Sequence, residues 1–326
     1  MTAIAHGGPD HLGVPAWDFS TNANACGPCP VALQAVQQAD PRHYPDPAYT
    51  VLREALANFH GVDAGRIVLA ASASEFIARI TAWVAREGGQ RVCLPAMAYG
   101  DYAAAARAWR LDTAQPSEHA HLTWWCEPSS PLGVAEPSAQ GVLTRDTVVV
   151  LDQAYEPLRL EGACSVKADA LDAMWRLWTP NKAMGLTGVR GAYAIAPVRA
   201  HREVVELDRM APSWPIGVHA VALLRAWVSP SAQAWLAGSL VQLRQWKQAQ
   251  VDGLLRHGWR CLPSEANYFC GQAPHAINEV ALRAHGVKLR DAQSFGLPGH
   301  WRLSVQPPQA QAALRAALRA QQETAT

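Results

Sequence analysis

A chain of 326 residues, 49% hydrophobic and 17% charged, can bury a substantial core as one large α/β unit or a large domain with a smaller one. A formal net charge of +1 without a basic block or acidic tail gives no footing for nucleic acid or an anionic membrane surface. The N-terminus lacks a charged segment followed by an apolar one, and no apolar run reaches the ~20 residues that span a bilayer. The expectation is therefore no signal peptide, no membrane span and a cytoplasmic location.

The seven cysteines are odd in number and dispersed, which argues against a secreted disulfide framework. Cys26-Gly-Pro-Cys29 is the one CxxC. No second CxxC or HxxxH follows at metal spacing, so no metal site is expected and the pair reads as two thiols in a proline-rich turn. The thirteen tryptophans are scattered rather than periodic and read as core or subunit-interface packing.

Residues 1–30, rich in Gly, Pro and Asn, read as an arm with little regular structure. A short helix is predicted over 31–40, ending before Pro41. An amphipathic helix follows over 48–60, with Leu52, Leu56 and Phe59 on one face. Strands and helices then alternate: strand 66–71, helix 74–86, strand 90–95, helix 99–110, and strands 121–126 and 147–152. Further strands are predicted over 174–179 and 191–196. The run from Val148 to Leu151 has no polar residue, as a strand buried on both faces requires. This order predicts a mostly parallel sheet covered on both sides. Residues 212–255 read as mainly helical. Strands 258–271, 287–291 and 300–305, with helices near 275–285 and 307–321, read as a small α+β domain. The expected division is a 1–44 arm belonging to the small domain, a 45–210 large domain, a 211–255 helical connection and a 256–326 C-terminal small domain.

Lys182 lies in Thr179-Pro180-Asn181-Lys182, just after an apolar strand. Arg190 follows eight residues on, in Gly188-Val189-Arg190-Gly191. Asp152 ends a buried strand thirty residues before Lys182 and is followed by Gln153-Ala154-Tyr155. Singly, such residues are a solvated lysine and a strand-end cap. Together they resemble the aminotransferase class I/II family of pyridoxal-phosphate (PLP) enzymes of fold type I. That family has Asp-x-Ala-Tyr, then about thirty residues, then Ser/Thr-x-x-Lys and Gly-x-Arg. The resemblance implies an aspartate-aminotransferase-like α/β fold. It makes Lys182 the Schiff-base lysine and Asp152 the partner of the pyridinium nitrogen, which keeps the ring an electron acceptor. Tyr155 would bond the ring oxygen, and Thr179 and Arg190 the cofactor phosphate.

Ala71-Ser72-Ala73-Ser74-Glu75 joins a strand to a helix N-terminus. Read alone it is an ordinary loop with Ser74 as N-cap; by resemblance, Ser72, Ala73 and Ser74 cup the phosphate. Tyr99 falls where the family stacks an aromatic on the pyridine ring. Glu127-Pro128-Ser129-Ser130-Pro131-Leu132-Gly133 falls where the family has Asn-Pro-x-Asn-Pro-x-Gly, so Ser130 replaces the asparagine that contacts the ring oxygen. That departure keeps a catalytically weakened paralogue among the alternatives. Arg290 and Arg302 resemble a closing pair, Arg302 for the substrate α-carboxylate and Arg290 for a substrate phosphate.

His6-Gly7-Gly8, the 17–24 segment with Asn22, and Arg42-His43-Tyr44-Pro45-Asp46 resemble the L-threonine-O-3-phosphate decarboxylases of cobalamin biosynthesis; histidinol-phosphate aminotransferases share the Tyr-Pro-Asp segment. The resemblance implies a homodimer in which Tyr44 reaches the neighbouring subunit's cofactor phosphate, and a small phosphorylated amino acid as substrate, with His6, Asn22, Arg290 and Arg302 as its ligands. The leading expectation is decarboxylation of L-threonine O-3-phosphate, and the alternative is histidinol-phosphate-type transamination to 2-oxoglutarate. Transcription regulators of this fold add a DNA-binding domain, for which the roughly 45 residues ahead of the large domain show no helix-turn-helix pattern.

Overall fold

The computed structural model describes residues 7–135, 144 and 146–325. Strands in chain order are β1 (Trp17–Asp18), β2 (Ile67–Ala70), β3 (Arg91–Cys93), β4 (Asp112–Ala114), β5 (Leu122–Cys126), β6 (Val148–Asp152), β7 (Trp175–Trp178), β8 (Ala192–Ile195), β9 (Arg260–Cys261), β10 (Tyr268–Gln272), β11 (Val287–Lys288), β12 (Arg290–Asp291) and β13 (Trp301–Ser304). Helices are α1 (Pro30–Gln37), α2 (Thr50–His60), α3 (Ala73–Arg86), α4 (Gly100–Ala108), α5 (Ala168–Leu171), α6 (His201–Met210), α7 (Val218–Trp227), α8 (Pro230–Leu255), α9 (Glu279–Ala284) and α10 (Pro308–Ala325).

Seven strands form the main sheet in the order β2-β8-β7-β6-β5-β3-β4. Only β8 runs against the others. This is the mostly parallel, doubly covered sheet that the alternation predicts. Along β2, Ile67 and Leu69 face one helical layer while Val68 and Ala70 face the other, the two-residue period of a strand buried on both sides. The first layer is built on α1, α2, α7 and α8, the second on α3, α4 and α6. Strand β4 was not predicted: it is three residues long, its first two are exposed, and it sits at the sheet edge, so it carries almost no apolar signal.

The second, smaller sheet is antiparallel, in the order β12-β13-β10-β9. The stretch predicted as one strand over 258–271 is two, because Pro263 and Ser264 turn the chain between them. From the arm, β1 pairs in parallel with β11, and Phe19 is fully buried among Trp259, Phe269, Val287 and Leu303. The long helix α8, capped by Ser229 and opened by Pro230, ends beside this core and contributes Leu254 to it. Arg159 clasps the two lobes, pairing with Glu127 and Glu156 on one side and Glu265 on the other.

Candidate active site

The carboxyl ends of β2, β5, β6 and β7 open into a cavity of about 500 Å³, where ligands bind in open α/β sheets. The small sheet and the arm close its far side. Every candidate site residue among the described residues lines this cavity except Tyr44. Tyr44 is 76% exposed and stacks on Trp214 at 4.2 Å, outside the cavity of its own chain. His6 lies outside the described residues; its neighbour Gly7 lines the cavity.

Asp152 is buried at the end of β6. Its Oδ1 accepts from the Ala154 backbone N–H at 2.9 Å and its Oδ2 from the Tyr102 hydroxyl at 2.6 Å. Burial pushes this carboxyl above the usual range, against the pull of the Tyr102 and Ala154 donors and the Lys182 charge. A cation beside it would recover the ionised form. The Lys182 ammonium donates to the Thr179 hydroxyl at 3.4 Å and lies 5.4 Å from the centre of the Tyr155 ring. Thr179 and Asn181 are buried, and the Lys182 carbonyl accepts from the Asn24 N–H at 2.9 Å, so the arm fixes this turn from the other side.

At the end of β2, helix α3 begins at Ala73 and its N-cap is Ser72, not Ser74: the Ser72 hydroxyl accepts from the Glu75 N–H at 3.1 Å. That leaves the Ser74 hydroxyl free to meet the Tyr99 hydroxyl at 3.3 Å, across the cavity wall. Ser72, Ala73 and Ser74 thus form a helix N-terminus facing a cavity that also holds Arg190, an arrangement suited to an anion.

On the far side, Arg302 donates to the Ser130 hydroxyl at 3.2 Å and to the Ser20 carbonyl at 3.1 Å; its Nε is buried and has no partner among the described residues. Arg290 donates to the Ser294 hydroxyl at 2.8 Å. Burial, and then the Arg302 charge, lower the Arg290 pKa. Asn22 is 2% exposed, lines the cavity and has neither amide atom partnered among the described residues. A buried amide without a partner is costly, and a ligand in the cavity would satisfy it.

Sequence reasoning missed Tyr102, Ser20 and Phe295. Tyr102 reads as a core aromatic, and its one signal was its position one helical turn after Tyr99. Ser20 contributes a backbone carbonyl, which no side-chain pattern announces. These groups suit a flat pyridine ring bearing a phosphate: a buried carboxylate, an amine in the same cavity, and a helix N-terminus with an arginine.

The family described as aminotransferase class I and II matches residues 15–320. Histidinol-phosphate aminotransferase 1 of Thiobacillus denitrificans is 30% identical over 321 residues, covering 88% of this chain and 80% of that protein. The structure of histidinol-phosphate aminotransferase from Sinorhizobium meliloti in complex with pyridoxal-5'-phosphate superposes with a TM-score of 0.77 at 22% identity, covering 94% of this chain and 91% of that one. The structure of L-threonine-O-3-phosphate decarboxylase from Porphyromonas gingivalis superposes with a TM-score of 0.74 at 20% identity, covering 94% and 99%. The fold is that of the aspartate-aminotransferase-like enzymes. With the match spanning nearly the whole chain and the cavity furnished for the cofactor, the protein belongs to the PLP-dependent aminotransferase class I and II family of enzymes.

Proposed function

We propose that this enzyme decarboxylates L-threonine O-3-phosphate to (R)-1-amino-2-propanol O-2-phosphate, a step of cobalamin biosynthesis, as a cytoplasmic homodimer. One observation carries the reading: Arg290 and Arg302 face each other across β12 and β13 on the substrate side of the cavity. Two guanidiniums facing one partly desolvated cleft suit a ligand that carries two anionic groups. L-threonine O-3-phosphate brings a carboxylate and a phosphate. Histidinol phosphate brings only the phosphate.

In this reading Lys182 carries the cofactor, Asp152 pairs with its ring nitrogen, and Tyr155 faces its ring oxygen. Tyr99 packs on the ring, while Ser72, Ala73, Ser74, Thr179 and Arg190 hold its phosphate. Bound PLP supplies an electron sink for the bond broken at the substrate's α-carbon. Arg302 orients the carboxylate, and its tether to Ser130 holds the guanidinium still. Arg290, with Asn22 and His6, takes the substrate phosphate. Lys182 then delivers a proton to the α-carbon after CO₂ departs. Tyr44, exposed in the single chain, reaches the partner subunit's cofactor phosphate.

Transamination of histidinol phosphate is the second reading, favoured by the 30% identical relative. Its amino acceptor, 2-oxoglutarate, also has two carboxylates for the two arginines. Product analysis separates the readings. Incubation with L-threonine O-3-phosphate should release CO₂ without any need for an oxo acid. Glutamate formation dependent on 2-oxoglutarate, with no CO₂, overturns the proposal.

A further inference from the structure

The described residues offer one side chain that binds Asp152 directly and that no motif pointed to. Tyr102 sits in the first turn of α4, fully buried, and its hydroxyl donates to Asp152 Oδ2 at 2.6 Å. Among the described residues it is the only side-chain hydrogen-bond donor to that carboxylate; the other oxygen is held by the Ala154 backbone. Its ring cannot drift, because it stacks on Trp124 at 4.5 Å and 12° and meets Tyr99 edge-on at 5.8 Å. Trp124 stands on β5, two residues before Cys126, which is the register partner of Asp152 on β6. The tyrosine therefore reaches over one strand to the end of the next and holds one oxygen of the carboxylate.

We infer that Tyr102 is a positioning residue for the cofactor: it holds the Asp152 carboxylate ionised and aimed into the cavity, so that it binds the ring nitrogen. One turn earlier on the same helix, Tyr99 meets Ser74 of the phosphate-side loop. The start of α4 thus fastens both ends of the cofactor site, the anion cup through Tyr99 and the ring-nitrogen carboxylate through Tyr102. The chemistry favours a phenol in this place. Surrounded by apolar groups and beside a carboxylate, Tyr102 has its own pKa pushed up, so it stays a neutral donor. A short hydrogen bond from a neutral donor stabilises the charged carboxylate that burial alone would protonate. A phenylalanine would fill the same space between Trp124 and Tyr99 but leave one carboxylate oxygen buried and unsatisfied.

This inference rests on Asp152 being the ring-nitrogen partner, and the experiment separates the two. Binding of pyridoxal phosphate is measured by titration of the purified protein in wild type, Tyr102→Phe, Asp152→Asn and the double variant, with the visible absorption band of the bound cofactor recorded alongside. The expected result is that Tyr102→Phe weakens cofactor binding on the order of tenfold and shifts the band, while the cofactor-free protein still folds and its melting temperature falls by only a few degrees, about what one unsatisfied buried oxygen costs. On the Asp152→Asn background the same change should have no further effect, because the tyrosine acts through the carboxylate. Equal losses on both backgrounds would make Tyr102 a packing residue and overturn the inference. So would a Tyr102→Phe protein with unchanged affinity and band while Asp152→Asn is impaired. Unimpaired binding in Asp152→Asn would instead remove the role given to Asp152. If Asp152→Asn binds too weakly to titrate, the band of Tyr102→Phe decides: a wild-type band overturns the inference.

Discussion

Arg290 and Arg302 are register partners on adjacent antiparallel strands, and both guanidiniums lie over the ring of Phe295, at 5.0 and 5.2 Å from its centre. The aromatic face offsets part of the repulsion between two like charges, and burial sharpens what remains. The pair predicts a division of labour. Arg290→Ala should lower kcat/KM for L-threonine O-3-phosphate by about 1–3 kcal/mol and leave activity on unphosphorylated L-threonine nearly unchanged. Arg302→Ala should lower both. Equal losses on both substrates from Arg290→Ala would show that it supports structure rather than phosphate.

Ser130 stands where the family has asparagine, and here its hydroxyl accepts from Arg302. Its loop is anchored by the Tyr268 hydroxyl, which donates to the Ser129 carbonyl at 2.7 Å. Ser130→Ala should therefore leave the loop in place but free the guanidinium. The expected result is a KM raised roughly tenfold with an unchanged melting temperature. An unchanged KM would mean that Arg302 is held by its Ser20 contact and the aromatic rings alone.

Gly7 lines the cavity, and a Cβ there would fall 2.1 Å from the Ser20 carbonyl oxygen, which is backbone and cannot step aside. Gly7→Ala should force the start of the arm away from Ser20 and disturb the Ser20 carbonyl that Arg302 bonds. KM should rise while the melting temperature stays within a degree or two of wild type. A variant with normal kinetics would show that the close approach of Gly7 to Ser20 contributes nothing to the site.

His60 lies on the other side of the sheet, bonded to the Tyr193 hydroxyl at 2.8 Å and packed on Trp178. Burial, helped by the Arg176 charge, lowers its pKa to about 3. The unfolded chain binds a proton on this residue below its ordinary value of 6.5, while the folded chain does not. Stability should therefore fall as the pH drops below 6.5, by up to ~2 kcal/mol from this group by pH 5. Urea unfolding at pH 7.5 and pH 5 checks it: His60→Gln should lose less stability over that interval than wild type. Identical losses would place the acid sensitivity elsewhere.

The large sheet was legible chiefly where a strand carries an unbroken apolar run, as Val148–Leu151 does: burial on both faces leaves little room for a polar residue there. The edge strand Asp112–Ala114 was not, because its pairing is made by backbone and two of its three side chains face water. Lys182, Asp152 and Arg190 announce themselves through spacing along the chain. Tyr102 does not, since its value lies in a contact between α4 and β6 that only the fold creates. The N-cap of α3 fell two residues early for a local reason: Glu75 at the third helical position supplies the N–H that Ser72 caps.

The most direct test of the account is where the cofactor attaches. The holoenzyme, reduced with borohydride and digested, should yield one pyridoxyl-modified peptide, with the modification on Lys182, and the visible band should disappear with the reduction. Lys182→Ala should yield none. Modification of another lysine, or a fully retained band in Lys182→Ala, would contradict the account.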